Sequence, residues 1–223
     1  MIISIIIPAL DEAAGIGKML QPLQSLRAQG HEVIVVDGGS IDATPNLARP
    51  LADQVLNTEP GRARQMNAGA RAASGEVLWF LHADTLIGAG SADSVCRAIQ
   101  QQAGWGRFDL RLSGTQPLLR LVERLINWRS RLSGIATGDQ GIFVSRILFE
   151  RIGGYAEIPL MEDVDLSRRL KRETGPRCLR ETLLSSSRRW EQRGVLKTIA
   201  LMWYLRLAYF AGVPAERLAP HYD

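Results

Sequence analysis

The apolar run Val77-Leu78-Trp79-Phe80-Leu81, entered from Ser74-Gly75, reads as a strand buried on both faces of a parallel sheet. It stops at His82-Ala83-Asp84, and in open α/β sheets ligands gather outside the carboxyl ends of the strands. An imidazole and a carboxylate two residues apart can hold a divalent cation, and that cation can hold phosphate. The alternative is an Asp that caps the following turn. The same rhythm runs through the preceding residues. Ile2 to Ile7 forms a first strand closed by Pro8, and Val33-Ile34-Val35-Val36 a second that ends in Asp37-Gly38-Gly39-Ser40. Gln54-Val55-Leu56 is a short third. Helices are expected over residues 15–29, where Ile16, Met19, Leu20, Leu23 and Leu26 recur at helical spacing, and over 62–73. Short buried strands alternating with helices predict a doubly wound, mostly parallel sheet.

Beyond Asp84 the spacing predicts a helix over 92–102 and a half-exposed strand over 107–112. An amphipathic helix over 118–132 follows, then a buried strand at Gly141–Val144 and helices over 164–172 and 194–211. A chain of 223 residues without repeats or Gly/Ser linkers fits one domain. Cys96 and Cys178 show no pairing or metal spacing, which points to a reduced compartment, and His31, His82 and His221 form no zinc-type set. Met1–Pro8 is apolar but has no basic leader, so it reads as a strand and not a signal segment. The net charge of +4 is uneven, with arginines concentrated after residue 117. Such runs are solvated helix faces or sites for anions and lipid head groups. No motif interleaves them with aromatics as a polynucleotide site would, so no nucleic-acid partner is expected.

Three groups of residues carry candidate chemistry. Asp11, Asp37 and Asp84 stand at strand ends, where acids accept hydrogen bonds from a base or ribose; the alternative for each is a turn role, expected for Asp42. The glycines after Asp37 favour ligand contact there. Arg62 and Arg64 fall in the first turn of a helix, the wrong sign for its dipole, so either a diphosphate sits nearby or both are solvated. Glu162-Asp163-Val164-Asp165 exceeds what a helix cap needs, and one of these acids facing a cleft can act as a general base.

Four segments, in order, resemble family 2 glycosyltransferases of the GT-A fold. They are Ser4-Ile5-Ile6-Ile7-Pro8-Ala9-Leu10-Asp11-Glu12, Val35-Val36-Asp37-Gly38-Gly39-Ser40-Ile41-Asp42, Phe80-Leu81-His82-Ala83-Asp84, and Gly153-Gly154-Tyr155 with Glu162-Asp163-Val164-Asp165-Leu166. Gly138-Asp139-Gln140-Gly141 and Ser187-Arg188-Arg189-Trp190 are similar to a small soluble bacterial subgroup. That subgroup is associated with radical-SAM and selenoprotein-type gene neighbourhoods and with arsenosugar biosynthesis. The resemblance implies an inverting enzyme that uses a nucleotide-sugar donor, most often a UDP-sugar, a hydroxyl acceptor and a divalent metal, Mn or Mg. It implies that Pro8, Asp11 and Asp37 line the nucleoside pocket, that Asp84 binds the metal, and that Asp163 deprotonates the acceptor. Arg62, Arg64 and His82 join the donor site.

The chain departs from the family pattern where His82 replaces the first acid of the metal motif, Gly38 an acid, and Met66 an arginine that Arg62 or Arg64 can replace. Ser186 stands where processive synthases carry Gln, so single transfer is expected. The helix around 195–213 is unusually apolar, with Trp203, Tyr204 and Phe210, yet carries Lys197 and Arg206. It packs on the sheet or on a second copy, or it rests at a membrane surface. The expectation is a single domain over 1–223, with a nucleotide-sugar half at 1–85, an acceptor half at 86–192 and a C-terminal helix and tail at 193–223. Its expected location is the cytoplasm, with peripheral contact at the inner membrane face as the alternative for the last helix. A sugar-nucleotide nucleotidyltransferase shares such a sheet but needs a Gly-rich basic loop after the first strand, where Ala9-Leu10-Asp11-Glu12 stands. A non-catalytic nucleotide-sugar binder is the other reading, supported by His82.

Overall fold

The computed structural model describes residues 1–222. In chain order its elements begin with β1 (Ile3–Ala9), α1 (Ala13–Leu20), α2 (Gln24–Ala28), β2 (Glu32–Asp37), α3 (Thr44–Ala48), β3 (Gln54–Asn57), α4 (Arg62–Ala72) and β4 (Val77–Phe80). There follow α5 (Ser91–Gln100), β5 (Trp105–Leu112), α6 (Pro117–Ser133), β6 (Phe143–Ser145), α7 (Arg146–Arg151), α8 (Glu162–Glu173) and β7 (Arg177–Ser185). The last are α9 (Arg188–Arg193), α10 (Val195–Phe210) and α11 (Ala215–Leu218).

The strands form one sheet in the order β3-β2-β1-β4-β6-β5-β7. β1, β2, β3 and β4 run parallel, β6 is antiparallel to both neighbours, and β7 is parallel to β5. The chain builds outward from β1 to β3 and then returns to place β4 on the other side of β1. The crevice at such a reversal lies at the strand carboxyl ends, where Asp11, Asp37 and Asp84 follow.

Period-two alternation divides the side chains between two cores. Ile3, Ile5, Ile7, Val33, Val35, Val77, Trp79 and Leu81 pack with α1 and α5 on one face. Ile6, Ile34, Val36, Leu78 and Phe80 pack with α4, α7 and α8 on the other.

Several elements differ from expectation. Pro8 lies inside β1, paired with Val36. Its missing N–H faces the β4 side, as the Ile6 carbonyl does toward Leu81 N, and β4 pairing has already stopped at Phe80, so no ladder bond is lost. The helix expected over 15–29 is broken by a 3-10 turn at Gln21–Leu23, where Pro22 removes a backbone donor. The strand expected over 107–112 begins at Trp105, and Arg107 is fully buried, not half-exposed. Its guanidinium is ion-paired with Asp109 and donates to the carbonyls of Phe108 and Asn127, and Asp109 also holds Arg131 at 2.7 Å. β7 and α7 have no counterpart in the sequence pattern.

The apolar C-terminal helix does not lie across the sheet. Val195 packs beside Leu110 and Leu112 at the end of β5, and Leu205 joins Leu160, Met161 and Val164. Leu196, Trp203, Tyr204, Leu207 and Phe210 remain exposed. No helix among the described residues is long and apolar enough to cross a membrane.

Gly69 in α4 sets how closely that helix approaches the sheet, because a Cβ there would lie 2.4 Å from Ile6 Cγ2. Gly69→Ala is expected to lower unfolding free energy by roughly 1–3 kcal/mol through overpacking, despite a helix-propensity gain of up to about 1 kcal/mol. Urea denaturation checks this, and equal or higher stability would show that α4 can shift.

Candidate active site

A cleft of about 490 Å³ opens where β4 ends, between the His82–Asp84 floor and the helices α6, α9 and α10. Four of the sequence-predicted residues meet in it: Arg62, His82, Asp84 and Asp163.

One end is built around Asp84. Its Oδ1 is buried without a hydrogen-bond partner, and burial pushes the carboxyl up against the opposing charges of Arg188, Arg62 and Arg189. His82 is held down at about 3 by desolvation and by the charges of Arg62 and Arg189, so its ring is neutral at physiological pH. Both residues line the cleft, and a neutral imidazole and an orphaned carboxylate oxygen are donor types that suit a divalent cation. Among the described residues no three His, Cys, Asp or Glu side chains converge into a protein-only cage. A cation held there would take its remaining ligands from phosphate or water, as Mg²⁺ sites commonly do. Glu12 closes the rim through Arg188, 3.4 Å away, and burial raises its carboxyl. Arg189 lies 4.0 Å from the Tyr222 ring centroid and Arg62 lies 6.0 Å from it.

The other end is built around the start of α8. Met161, the residue before the helix, takes a positive φ of 67°, uncommon for a bulky side chain, and so turns Glu162 and Asp163 into the cleft. Asp163 Oδ2 accepts from Gly138 N at 2.8 Å. Glu162 is buried, and desolvation together with the adjacent Asp163 pushes it up to about 7, against Arg62. The two ends meet at Gly138: a Cβ there would lie 2.3 Å from His82 Nε2, so only glycine lets the imidazole pack against the loop that Asp163 holds. Gln140, fully buried, anchors this loop by accepting from Thr137 N. Asp139 lines the cleft with Oδ1 buried and unpartnered.

Pro8, Asp11, Asp37 and Arg64 do not line this cleft. Asp11, with φ of 52°, accepts from Ile41 N, and its own N–H donates to Ser40 Oγ. Asp37, expected to face a ligand through its glycines, is buried and accepts from Gly39 N, Ser40 N and Ser40 Oγ. Its carboxylate builds the loop. Buried Gln65 ties the two strand ends together by donating to the carbonyls of Ala9 and Val36. Asp42 has the expected turn role, accepting from Thr44 N and Ala13 N. Arg64 points away, paired with Glu59 and Glu157, so its counter-charge is supplied by the protein. The cleft also contains Glu12 and Asp139, which the sequence offers only as members of the resemblance segments, Arg129 and Arg206, which it offers only as helix charges, and Tyr222, which nothing in the sequence marks. Arg188 and Arg189 stand in the sequence as part of the segment Ser187-Arg188-Arg189-Trp190 that resembles the bacterial subgroup, and among the basic residues after 117, without an assigned role.

Residues 4–104 match the family model described as Glycosyl transferase family 2. An uncharacterized glycosyltransferase of Mycobacterium tuberculosis is 30% identical over 167 residues, which cover 69% of this chain and 62% of that protein. The chain thus spans about three fifths of the length of this relative. A mannosyltransferase from Pyrobaculum calidifontis, solved with GDP-Man and Mn²⁺, superposes with a TM-score of 0.67 at 23% identity, covering 92% of this chain and 60% of that one. TarS residues 1–349 of S. aureus, in complex with UDP-GlcNAc, superposes with a TM-score of 0.68 at 16% identity, covering 83% and 58%. These likenesses show the fold, which is the GT-A fold expected from the sequence.

The raised Glu162 carboxyl has a consequence for stability. Its folded-state value near 7 lies above the ordinary 4.5, so its contribution is fully present below the lower value and is lost as pH rises through the upper one. Glu162→Gln, which cannot ionise, is therefore expected to gain stability relative to wild type between about pH 5 and about pH 8. Thermal melts of both proteins at the two pH values test this. An offset independent of pH would mean that Glu162 is an ordinary carboxylate.

Proposed function

We propose that the chain, whose residues 4–104 match the Glycosyl transferase family 2 model and whose sheet has the GT-A fold, is an inverting glycosyltransferase. It moves a single sugar from a nucleotide-diphosphate donor, a UDP-sugar, to a hydroxyl acceptor. One observation carries the reading. In a single cleft, an acid with an orphaned oxygen beside three arginines faces, across Gly138, a pair of acids at a helix start. The nucleotide sugars bound by the two structural neighbours support the donor class.

In this reading Pro8, Asp11 and Asp37 form the nucleoside end, reached from the cleft past Glu12. Arg62, Arg188 and Arg189 take the charge of the diphosphate, while Arg64, paired with Glu59 and Glu157, would join them only by leaving those partners. Asp84, with neutral His82, would hold a divalent Mn or Mg ion, which when bound neutralises charge on the departing diphosphate. Asp163 accepts the proton of the acceptor hydroxyl, and the Gly138 N–H fixes the orientation of its carboxylate. Attack from that side, opposite the leaving group, inverts the anomeric centre. Ser186 in place of a glutamine supports single transfer over polymerisation.

The division into a donor half at 1–85, an acceptor half at 86–192 and a C-terminal helix and tail at 193–223 belongs to the same proposal. So does a cytoplasmic location with α10 at a membrane surface or against a second copy. Likeness to the arsenosugar-associated subgroup would place the acceptor in that chemistry, and both segments behind it, around Asp139 and Arg188, border the cleft.

Two variants test the assignment. Asp84→Ala is expected to abolish the metal-dependent part of UDP binding in calorimetry, and wild-type affinity with metal present would remove Asp84 from the metal site. Asp163→Asn is expected to keep UDP affinity and lose transfer by about 10²–10⁴-fold, measured as UDP release from a panel of UDP-sugars. Near-normal turnover would move the base to Glu162 or Asp165. Tight UDP binding with no turnover by the wild type on any donor would favour the non-catalytic binder.

A further inference from the structure

The donor reading occupies the end of the cleft around Asp84 and leaves the opposite end without a ligand. That end has two features that a nucleotide sugar does not require. Its walls are apolar: Val122, Leu125 and Ile126 of α6 and Ile199, Met202 and Trp203 of α10 line it. Leu125 and Trp203 are 48% and 54% exposed, so the apolar wall continues out to the surface of the molecule.

The second feature is cationic. Arg129 and Arg206 line the same space, and among the described residues neither forms an ion pair. Arg129 donates Nη1 to the Ile135 carbonyl at 3.3 Å, but its Nη2 is buried without a partner. Burial and the neighbouring Arg206 charge lower Arg129 to about 10. An unsatisfied buried guanidinium nitrogen next to a second cation is unfavourable unless an anion joins them. The diphosphate is not that anion in this arrangement. Arg62, Arg188 and Arg189 lie near Asp84, with Arg62 reaching on to Glu162 and Asp163, whereas the charges that bear on Arg129 are those of Arg206, Asp139, Asp163 and Arg107, with neither carboxylate within ion-pair reach of Arg129 or Arg206.

We propose that this end of the cleft is an acceptor subsite for an amphipathic anion, with its apolar body between α6 and α10 and its anionic head group on Arg129 and Arg206. The word acceptor rests on the glycosyltransferase reading; the binding site does not. Seating the head group there presents a nearby hydroxyl to Asp163. The same two helices carry exposed Leu121, Trp128, Tyr204 and Phe210 outside the cleft, which suits an amphiphile drawn from a lipid surface as well as a free one.

The test is titration of decyl phosphate, below its micelle concentration, into the full chain, followed by the fluorescence of Trp190 and Trp203 in the cleft wall. Inorganic phosphate and the neutral amphiphile decyl maltoside are the controls. Decyl phosphate is expected to bind at least about tenfold tighter than either control, and Arg206→Gln and Leu125→Asn each to weaken it by about tenfold. Leu125 reaches solvent, so its variant separates loss of the wall from loss of the fold. Equal affinity for decyl phosphate and either control, insensitivity to both variants, or competition with UDP would each overturn the proposal. UDP affinity, measured alongside, separates the two readings: its absence with decyl phosphate binding intact would sink the donor site and not the subsite. Co-sedimentation with phosphatidylcholine vesicles containing phosphatidic acid would assign the head group to a bilayer lipid. Intact decyl phosphate binding without sedimentation would assign it to a free amphiphile.

Discussion

Burial of β1, β2 and β4 on both faces is the constraint from which the rest of the molecule follows. Strands packed against helices above and below can place functional polar groups only at their ends. The acids therefore gather at the carboxyl ends, and the reversal of strand order between β1 and β4 opens the crevice there. What turns that crevice into a site is one contact without a side chain. Gly138 receives the His82 ring on one side and gives its N–H to Asp163 on the other, so the end of β4 and the start of α8 are set in a single geometry.

The electrostatics follow from that enclosure. Desolvation raises Asp84, Asp139 and Glu162 and lowers His82, each against or alongside identifiable neighbours. Arginines lie near these acids, Arg62, Arg188 and Arg189 about Asp84, Arg62 also about Glu162, and Arg129 and Arg206 about Asp139 without an ion pair between them. A cleft with opposed acids and arginines toward both ends is suited to hold two ligands at once. A group-transfer enzyme needs that arrangement, and a simple nucleotide binder does not.

Much of this was legible in the sequence because its causes are local. The alternation of apolar runs with helices, the acids after the first, second and fourth strands, and the acid pair near the start of α8 are short-range patterns; the structure has them, with α8 beginning at Glu162, two residues before the expected 164. Other features depend on partners distant in the chain. Pro8 is accepted within β1 only because β4 diverges past Phe80. Arg107 is buried because Asp109 and the Asn127 carbonyl meet it. Asp37 spends its carboxylate on its own loop, which a following pair of glycines does not reveal. Arg129 and Arg206 become neighbours only when α6 and α10 are brought together, and no spacing rule links residues so far apart.

The most direct measurement is calorimetric titration of UDP into the wild-type chain in the presence of Mn²⁺, repeated after addition of EDTA. Binding that weakens sharply when the metal is removed is the predicted result, because Asp84 would hold a cation that in turn helps hold the diphosphate in the proposed donor site. Absence of binding in both conditions would contradict the nucleotide-sugar account while leaving the fold unchanged.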